Sequence, residues 1–176
     1  MTVVAETPTA PRNGAPVRFR TLTPGERSRF TEVFDGLGPQ SRYMRYHGVK
    51  PVLSEREIRY FTDVDHHDHE ALLAVVGDET VGVVRFVRRD DDPRSADVAL
   101  EVVDRWQRQG LGSALLGRIA RRARDEGVDR FSASVLQSNE SMLATIRSLR
   151  APWVTTSRSG PVVEIEVTIA SGHGTK

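Results

Sequence analysis

An apolar run, a turn spaced by glycines and the onset of helical periodicity follow one another without a break in ALEVVDRWQRQGLGSALL, residues 99–116. No other stretch limits the fold as much, because a strand ending in such a turn must pass directly into a helix. The junction aims several backbone N–H groups and a helix N-terminus at one point, which suits a diphosphate. Two other phosphate motifs can be weighed on the same residues. A Walker A loop needs a Lys-Ser/Thr pair after its last glycine, and here Gly112 is followed by Ser113 and Ala114. A Rossmann turn needs a third glycine or alanine and an acid roughly 20 positions later, at the end of the next strand. The helix after Gly112 instead carries Arg118, Arg121, Arg122 and Arg124 to Gly127, and the following strand ends at Leu136 with no acid there. A purely structural helix start is the alternative reading of the two glycines.

The chain of 176 residues is long enough for one domain whose core needs no disulfide or metal staple. It has no Cys, which excludes a disulfide framework, a thiolate metal site and a cysteine nucleophile. A formal net charge of +1 supplies no global basic field for nucleic acid. The opening MTVVAETPTAPRNGAP lacks the charged and apolar regions of a signal peptide, and no apolar run reaches about 18 residues. A cytoplasmic protein with neither a nucleic-acid nor a membrane partner is expected.

Residues 1–16 are small, Pro-rich and aperiodic and, with the tail 171–176, are expected to fray, leaving 17–170 as the domain. Residues 17–22 read as a strand. Thr23, ahead of Pro24 and Glu26, reads as the N-cap of a helix to about Leu37, with Phe30, Val33, Phe34 and Leu37 at helical spacing. Ser54 and Glu57 form a capping-box pattern for a second helix through Phe61. Strands at 71–76 and 80–88 are joined by the hairpin signal Gly77-Asp78-Glu79, and another strand follows at 96–103. After the glycine turn, Leu111, Leu115 and Ile119 mark the inner face of a helix ending near Gly127. A strand at 130–136, a helix capped by Asn139, and strands at 153–156 and 162–169 complete the chain. The order β-α-α-β-β-β-α-β-α-β-β predicts an α/β domain with a mixed, mostly antiparallel sheet of about seven strands flanked by about four helices.

The turn Gln107-Arg108-Gln109-Gly110-Leu111-Gly112 resembles the Q/R-x-x-G-x-G/A signature of the GCN5-related N-acetyltransferase (GNAT) superfamily. The element order, with this turn after the fourth strand, is that family's order too, and the resemblance runs from about residue 17 to residue 169. It implies a single-domain GNAT fold with acetyl-CoA as acyl-donor substrate, held by Gln107, Arg108, Gln109, Gly110, Leu111, Gly112 and Ser113. It also implies that the backbone of Val102 and Val103 hydrogen-bonds the pantetheine arm, and that Asn139 faces the pantetheine or the acceptor. A narrower resemblance lies in GPQSRYMRYHGVKPVLSEREIRYFTDVDHHDHEALLAV, which is similar to Pat-type protein lysine acetyltransferases, where S-x-x-S-x-Y-x-R-F and D-x-x-x-H-x-A-L segments recur. The implied acceptor is a protein lysine, on a partner such as an acyl-CoA synthetase. A small-molecule amine and a noncatalytic, acyl-CoA-binding regulatory domain are the alternatives.

Acyl transfer to an amine needs the amine neutral, yet a lysine is protonated at neutral pH, so a base or water relay must take the proton. With no Cys, transfer is expected to be direct, without an acyl-cysteine. On the fourth strand Asp97, Ala99 and Glu101 share one face, and Val98, Leu100 and Val102 the other. In the lysine-acetylating relatives A-E-I-x-F/V precedes the glycine turn, and its Glu aligns with Asp97, one methylene shorter here. Asp97 and Glu101 are therefore the two candidates for the base. The competing reading makes each a surface carboxylate pairing with Arg85 or Arg88. Many members carry an acidic Tyr on the helix after Asn139, where this chain has Ile146. The cluster Asp63, Asp65, His66, His67, Asp68, His69 has metal-ligand residue types, but consecutive ligands in a loop seldom converge, so a polar loop is expected, with His69 near the acceptor entrance. Tyr43, Arg45 and Tyr46 either line the acceptor groove or pack a helix against a loop.

Overall fold

Seven strands form one sheet in the computed structural model, which describes residue 14 and residues 16–169. They are β1 (Val17–Thr21), β2 (His69–Val76), β3 (Glu79–Arg88), β4 (Ser95–Val102), β5 (Arg130–Leu136), β6 (Trp153–Ser159) and β7 (Val162–Thr168), in the spatial order β1-β2-β3-β4-β5-β7-β6. Every neighbouring pair is antiparallel except β4 with β5. Among the described residues the helices are α1 (Arg27–Asp35), α2 (Pro39–Tyr46), α3 (Glu55–Thr62), α4 (Leu111–Asp125) and α5 (Glu140–Ser148), with a 3₁₀ turn at Asp104–Trp106. The predicted mixed sheet is present, with α2 an addition to the predicted helices. The segments 1–16 and 171–176, expected to fray, lie outside the described residues apart from residues 14 and 16.

The strand sequences explain how they are covered. In β2 all but the last residue are buried, as the unbroken apolar run Ala71-Leu72-Leu73-Ala74-Val75 requires of a strand sandwiched between helices. In β7, Val163, Ile165 and Val167 turn inward while Glu164 and Glu166 turn out. Helix α4 buries Leu111, Leu115, Ile119 and Ala123 against one face of the sheet, where its Arg122 reaches Glu70 of β2. Helices α1 and α3 cover the opposite face, where the Arg85 guanidinium of β3 lies 4.0 Å from the Phe61 ring centre. No helix among the described residues is long and apolar enough to cross a membrane.

Capping follows the sequence in two cases and departs in a third. Ser54 Oγ accepts from the Glu57 N–H at 3.2 Å while the Glu57 carboxylate accepts from the Ser54 N–H at 2.8 Å, and Asn139 Oδ1 accepts from the Met142 N–H at 3.1 Å. Thr23 is not the cap of α1. Pro24 and Gly25 form a turn, with Gly25 at φ 93°, which delays the helix until Glu26 takes the N-cap position, without a side-chain cap. The Glu26 carboxylate ties back to the Thr23 N–H and to Arg20, whose hydrogen bond holds its pKa down at about 2.

The acidic, histidine-rich loop before β2 is consumed by structure. Asp65 Oδ1 accepts from the N–H groups of His67, Asp68 and His69, His66 sits at φ 64°, and no three of the described His, Asp or Glu side chains converge as metal ligands would. Glu70, fully buried, pairs with His66 at 2.9 Å and with Arg122 at 2.9 Å, and accepts from the Ala71 N–H. Arg122→Met is expected to lower stability by about 2 kcal/mol. That is less than a fully buried pair, because Arg122 is 36% exposed and two donors to Glu70 remain. A urea midpoint that falls with an unchanged m-value is the signature.

Candidate active site

Strands β4 and β5 pair only at Ser95↔Arg130, Ala96↔Phe131 and Asp97↔Ser132. Beyond Asp97 they part, and the wedge between them is a cleft of about 1150 Å³, walled by β4, β5, α2, α5 and the turn before α4. A strand whose neighbour departs leaves backbone groups unpaired on that edge. The Val103 N–H bonds the Val81 carbonyl at 2.9 Å on the β3 side, so alternation turns the backbone of Leu100 and Val102 toward the cleft. The Val102 carbonyl is taken by Gln107 Nε2 at 2.9 Å, which leaves the N–H groups to offer. Val103 instead packs its buried side chain against Gly36, where any Cβ would lie 2.7 Å from its methyls.

The glycine turn is built to leave a helix end uncapped. Buried Trp106 anchors the 3₁₀ turn, and Gln107 Nε2 reaches the Val102 carbonyl, Asp104 Oδ1 at 3.2 Å and Ser41 Oγ at 3.3 Å. Gly110, at φ 85°, holds the N-cap position of α4 in the left-handed region that glycine enters freely, and it has no side chain to close the helix. Arg108 takes the same region at φ 57°, a conformation that costs an arginine about 1 kcal/mol or more. The first-turn N–H groups of Leu111, Gly112 and Ser113 have no capping side chain, and Gly112, Ser113 and Arg108 line the cleft. Helix dipole, uncapped donors and Arg108 all border the cleft there, a combination that suits an anion. The Leu111 side chain points into the core, and Gln109 turns away to donate to the Arg105 carbonyl at 3.1 Å.

The two candidate carboxylates share the face opposite α4, in unlike settings. Asp97 is the last β4 residue paired with β5, so it stands at the vertex of the wedge. Its side chain is 67% exposed, with Arg89 at 3.7 Å. Partial burial pushes its carboxyl above the ordinary Asp range, Glu164 and Asp91 add repulsion, and Arg89 opposes them. Glu101 has a side chain only 2% exposed; its Oε1 accepts from Arg45 Nε at 3.0 Å and Tyr46 OH at 3.1 Å, while Oε2 is buried without a partner. The expected partners Arg85 and Arg88 hydrogen-bond neither, although the charges of Arg85 and Glu101 act on one another. Arg88 pairs in register with Ala96 and so faces the other way, holding Asp68 and the Glu126 carbonyl, and Arg85 lies over Phe61.

Asn139 lines the cleft while its side chain caps α5, and Ile146 presents an apolar side chain to the same wall. Of the three residues assigned to the acceptor groove, Arg45 lines the cleft, Tyr46 lies beneath α2 on Glu101, and Tyr43 is largely exposed. His69 is buried on β2, two strands from β4, with its ring 5.9 Å from that of Tyr60; burial, then Arg85, lowers its pKa. Ser41 and Met44, in the Pat-like stretch 41–46, line the cleft as well, and Ser138, which sequence reasoning did not find, joins them.

The acetyltransferase (GNAT) family model matches residues 33–149. Over 163 residues, 91% of this chain, the sequence is 31% identical to the acetyltransferase Pat of Mycolicibacterium smegmatis, and the match spans about half that relative, 48% of its length. Among solved structures, the GNAT domain of S. lividans PAT superposes with a TM-score of 0.82 at 30% identity, covering 91% of this chain and 94% of that one. The cAMP-binding acyltransferase from Mycobacterium smegmatis gives a TM-score of 0.64 at 29% identity, covering 94% of this chain and 47% of that one.

Proposed function

Because the chain belongs to the acetyltransferase (GNAT) family, we propose that it transfers an acetyl group from acetyl-CoA directly to an amine, the side chain of a protein lysine. The observation that carries this reading is the wedge between β4 and β5, with an uncapped helix end on one side and Asp97 as the last paired residue of β4 at its vertex. When bound, acetyl-CoA supplies an activated thioester carbonyl. The N–H groups of Leu111, Gly112 and Ser113, with Arg108, hold the diphosphate, and Gln107 and Gln109 brace the turn that presents them. The Val102 N–H reaches the pantetheine arm as an extra strand would. Val103 keeps β4 in place, and Asn139 fixes the α5 wall.

Asp97 takes the proton from the acceptor ammonium, directly or through one water, and returns it to solvent. The neutral amine then bonds to the acyl carbon as the carbon–sulfur bond breaks; its nitrogen gives up a second proton to water and the departing thiolate takes one from water, which leaves the amide and the free thiol. No side chain at the Ile146 position donates that proton, and a thiolate leaves without one. The acceptor enters from the face that carries Asp97, Glu164 and Glu166, whose charge attracts a lysine-bearing segment. An exposed loop of an acyl-CoA synthetase in the cytoplasm is the partner this reading favours, on the resemblance to Pat-type domains.

Incubation with radiolabelled acetyl-CoA and lysate, beside a panel of polyamines, aminoglycosides and amino acids, tests it. Labelled protein bands whose label survives alkali as an amide are expected, and they weaken as salt shortens the screening length toward ~8 Å and below. Turnover of one small amine with no labelled band replaces the acceptor and leaves the transferase. Tight binding of acetyl-CoA with no turnover of any amine makes the chain a sensor instead.

A further inference from the structure

Helix α2 walls the cleft, yet none of its residues is fully buried. An amphipathic helix holds its place through an apolar stripe; α2 holds its place by polar ties. Its N-cap Gly38 donates to Asp104 Oδ2 at 3.0 Å, its Ser41 meets Gln107 at 3.3 Å, and its Arg45 and Tyr46 both donate to Glu101. These three attachment points belong to the end of β4 and the turn that follows it, and Arg42 adds ties to the Phe34 and Pro51 carbonyls. Glu101 is the buried one, and its carboxylate is the only anion facing the Arg45 and Arg85 guanidiniums in that layer among the described interactions. Burial, then the charge of Glu101, raises the Tyr46 pKa, so the phenol remains a donor.

We infer that Glu101 is a positioning residue: its carboxylate seats α2 on β4 as the acceptor-side wall of the cleft, and it takes no part in removing the amine proton. A base must collect a proton from the acceptor and release it to solvent. Glu101 is closed off from both, and one of its oxygens already accepts two donors. Without the carboxylate charge Arg45 loses its partner beside a second cation, and the edge-on packing of Tyr46 on Phe34 is the aromatic contact left to hold that end of α2.

The inference rests on the acceptor entering along the α2 face, and the test separates the two. In Glu101→Gln, backbone amides of residues 39–46 are expected to exchange about tenfold faster, the worth of one charge-assisted hydrogen bond. The acceptor KM rises by a similar factor, while kcat keeps its rise with pH and acetyl-CoA titrates as before. Tyr46→Phe and Arg45→Gln, which remove one arm each, show smaller shifts in the same direction. The double variant Arg45→Gln with Glu101→Gln loses less than the sum of its parts. Unchanged exchange in α2, or loss of the pH-dependent limb with KM intact, overturns the positioning role. Faster exchange with an unaltered acceptor KM keeps the seat and removes the acceptor from that face, which overturns the inference as a statement about catalysis.

Discussion

Gly112→Val is expected to abolish acetyl-CoA binding, weakening it by at least about 100-fold, while the domain stays folded. A Cβ at position 112 lies 3.4 Å from Leu100 Cδ2 and 3.5 Å from Thr145, ordinary contact distances, so the apo protein accepts the branch point. Replacing a glycine in the first turn also removes chain entropy from the unfolded state, which offsets crowding by the two γ-methyls. The cost falls on the cleft. Gly112 lines it beside the uncapped start of α4, and a valine there holds an incoming diphosphate away from the Leu111, Gly112 and Ser113 N–H groups. Calorimetric titration should show no heat of binding, with a thermal midpoint within ~5 °C of the parent protein. Full-strength binding by the variant would mean that the diphosphate lies elsewhere.

The second large effect concerns the base. Asp97→Asn preserves size and is expected to lower kcat by about 100-fold or more near pH 7, the range of general-base contributions. The sign with pH follows from the environment of the carboxyl. Asp97 is held above the ordinary Asp range, and a protonated carboxyl cannot accept the amine proton, so the parent rate climbs as pH passes through that raised value. The asparagine variant lacks this limb and retains only the climb due to deprotonation of the amine itself, toward about pH 10. The two rates therefore converge at high pH. Equal rates for both proteins at every pH would assign proton removal to another group.

Much of the fold could be read in the sequence because its central strands are buried on both faces. The run at 71–75 admits few other readings, and the alternation in 163–167 sets one face to solvent. Helix α2 was not legible, since PQSRYMRY has no apolar spacing and its ties run to Glu101, Asp104 and Gln107, more than 50 residues away in the chain. The start of α1 was misplaced for a local reason, the turn that Pro24 and Gly25 insert. At the site, glycine at 110 suits the left-handed cap that the structure shows, whereas nothing in the sequence marks Arg108 for the same conformation. Nor does any residue near Asp97 signal that pairing with β5 stops there, so the two carboxylates could be placed on one face but not told apart. The vertex and the buried seat emerge only from strand divergence and from side chains distant in sequence.

The three-pair contact between β4 and β5 also has a thermodynamic consequence. Edge to edge, the β5-β7-β6 portion of the sheet is joined to the β1-β2-β3-β4 portion by that short seam alone, and α4 packs on β2, β3, β4 and α5. A ligand lying in the wedge touches residues of both β4 and β5 and so acts as a stitch. Its binding free energy is then spent on cohesion between the two portions. At a free concentration 100 times its dissociation constant such a ligand adds about 2.7 kcal/mol to global stability. The lifetime of the folded domain thereby becomes a readout of how much donor the surrounding solution holds.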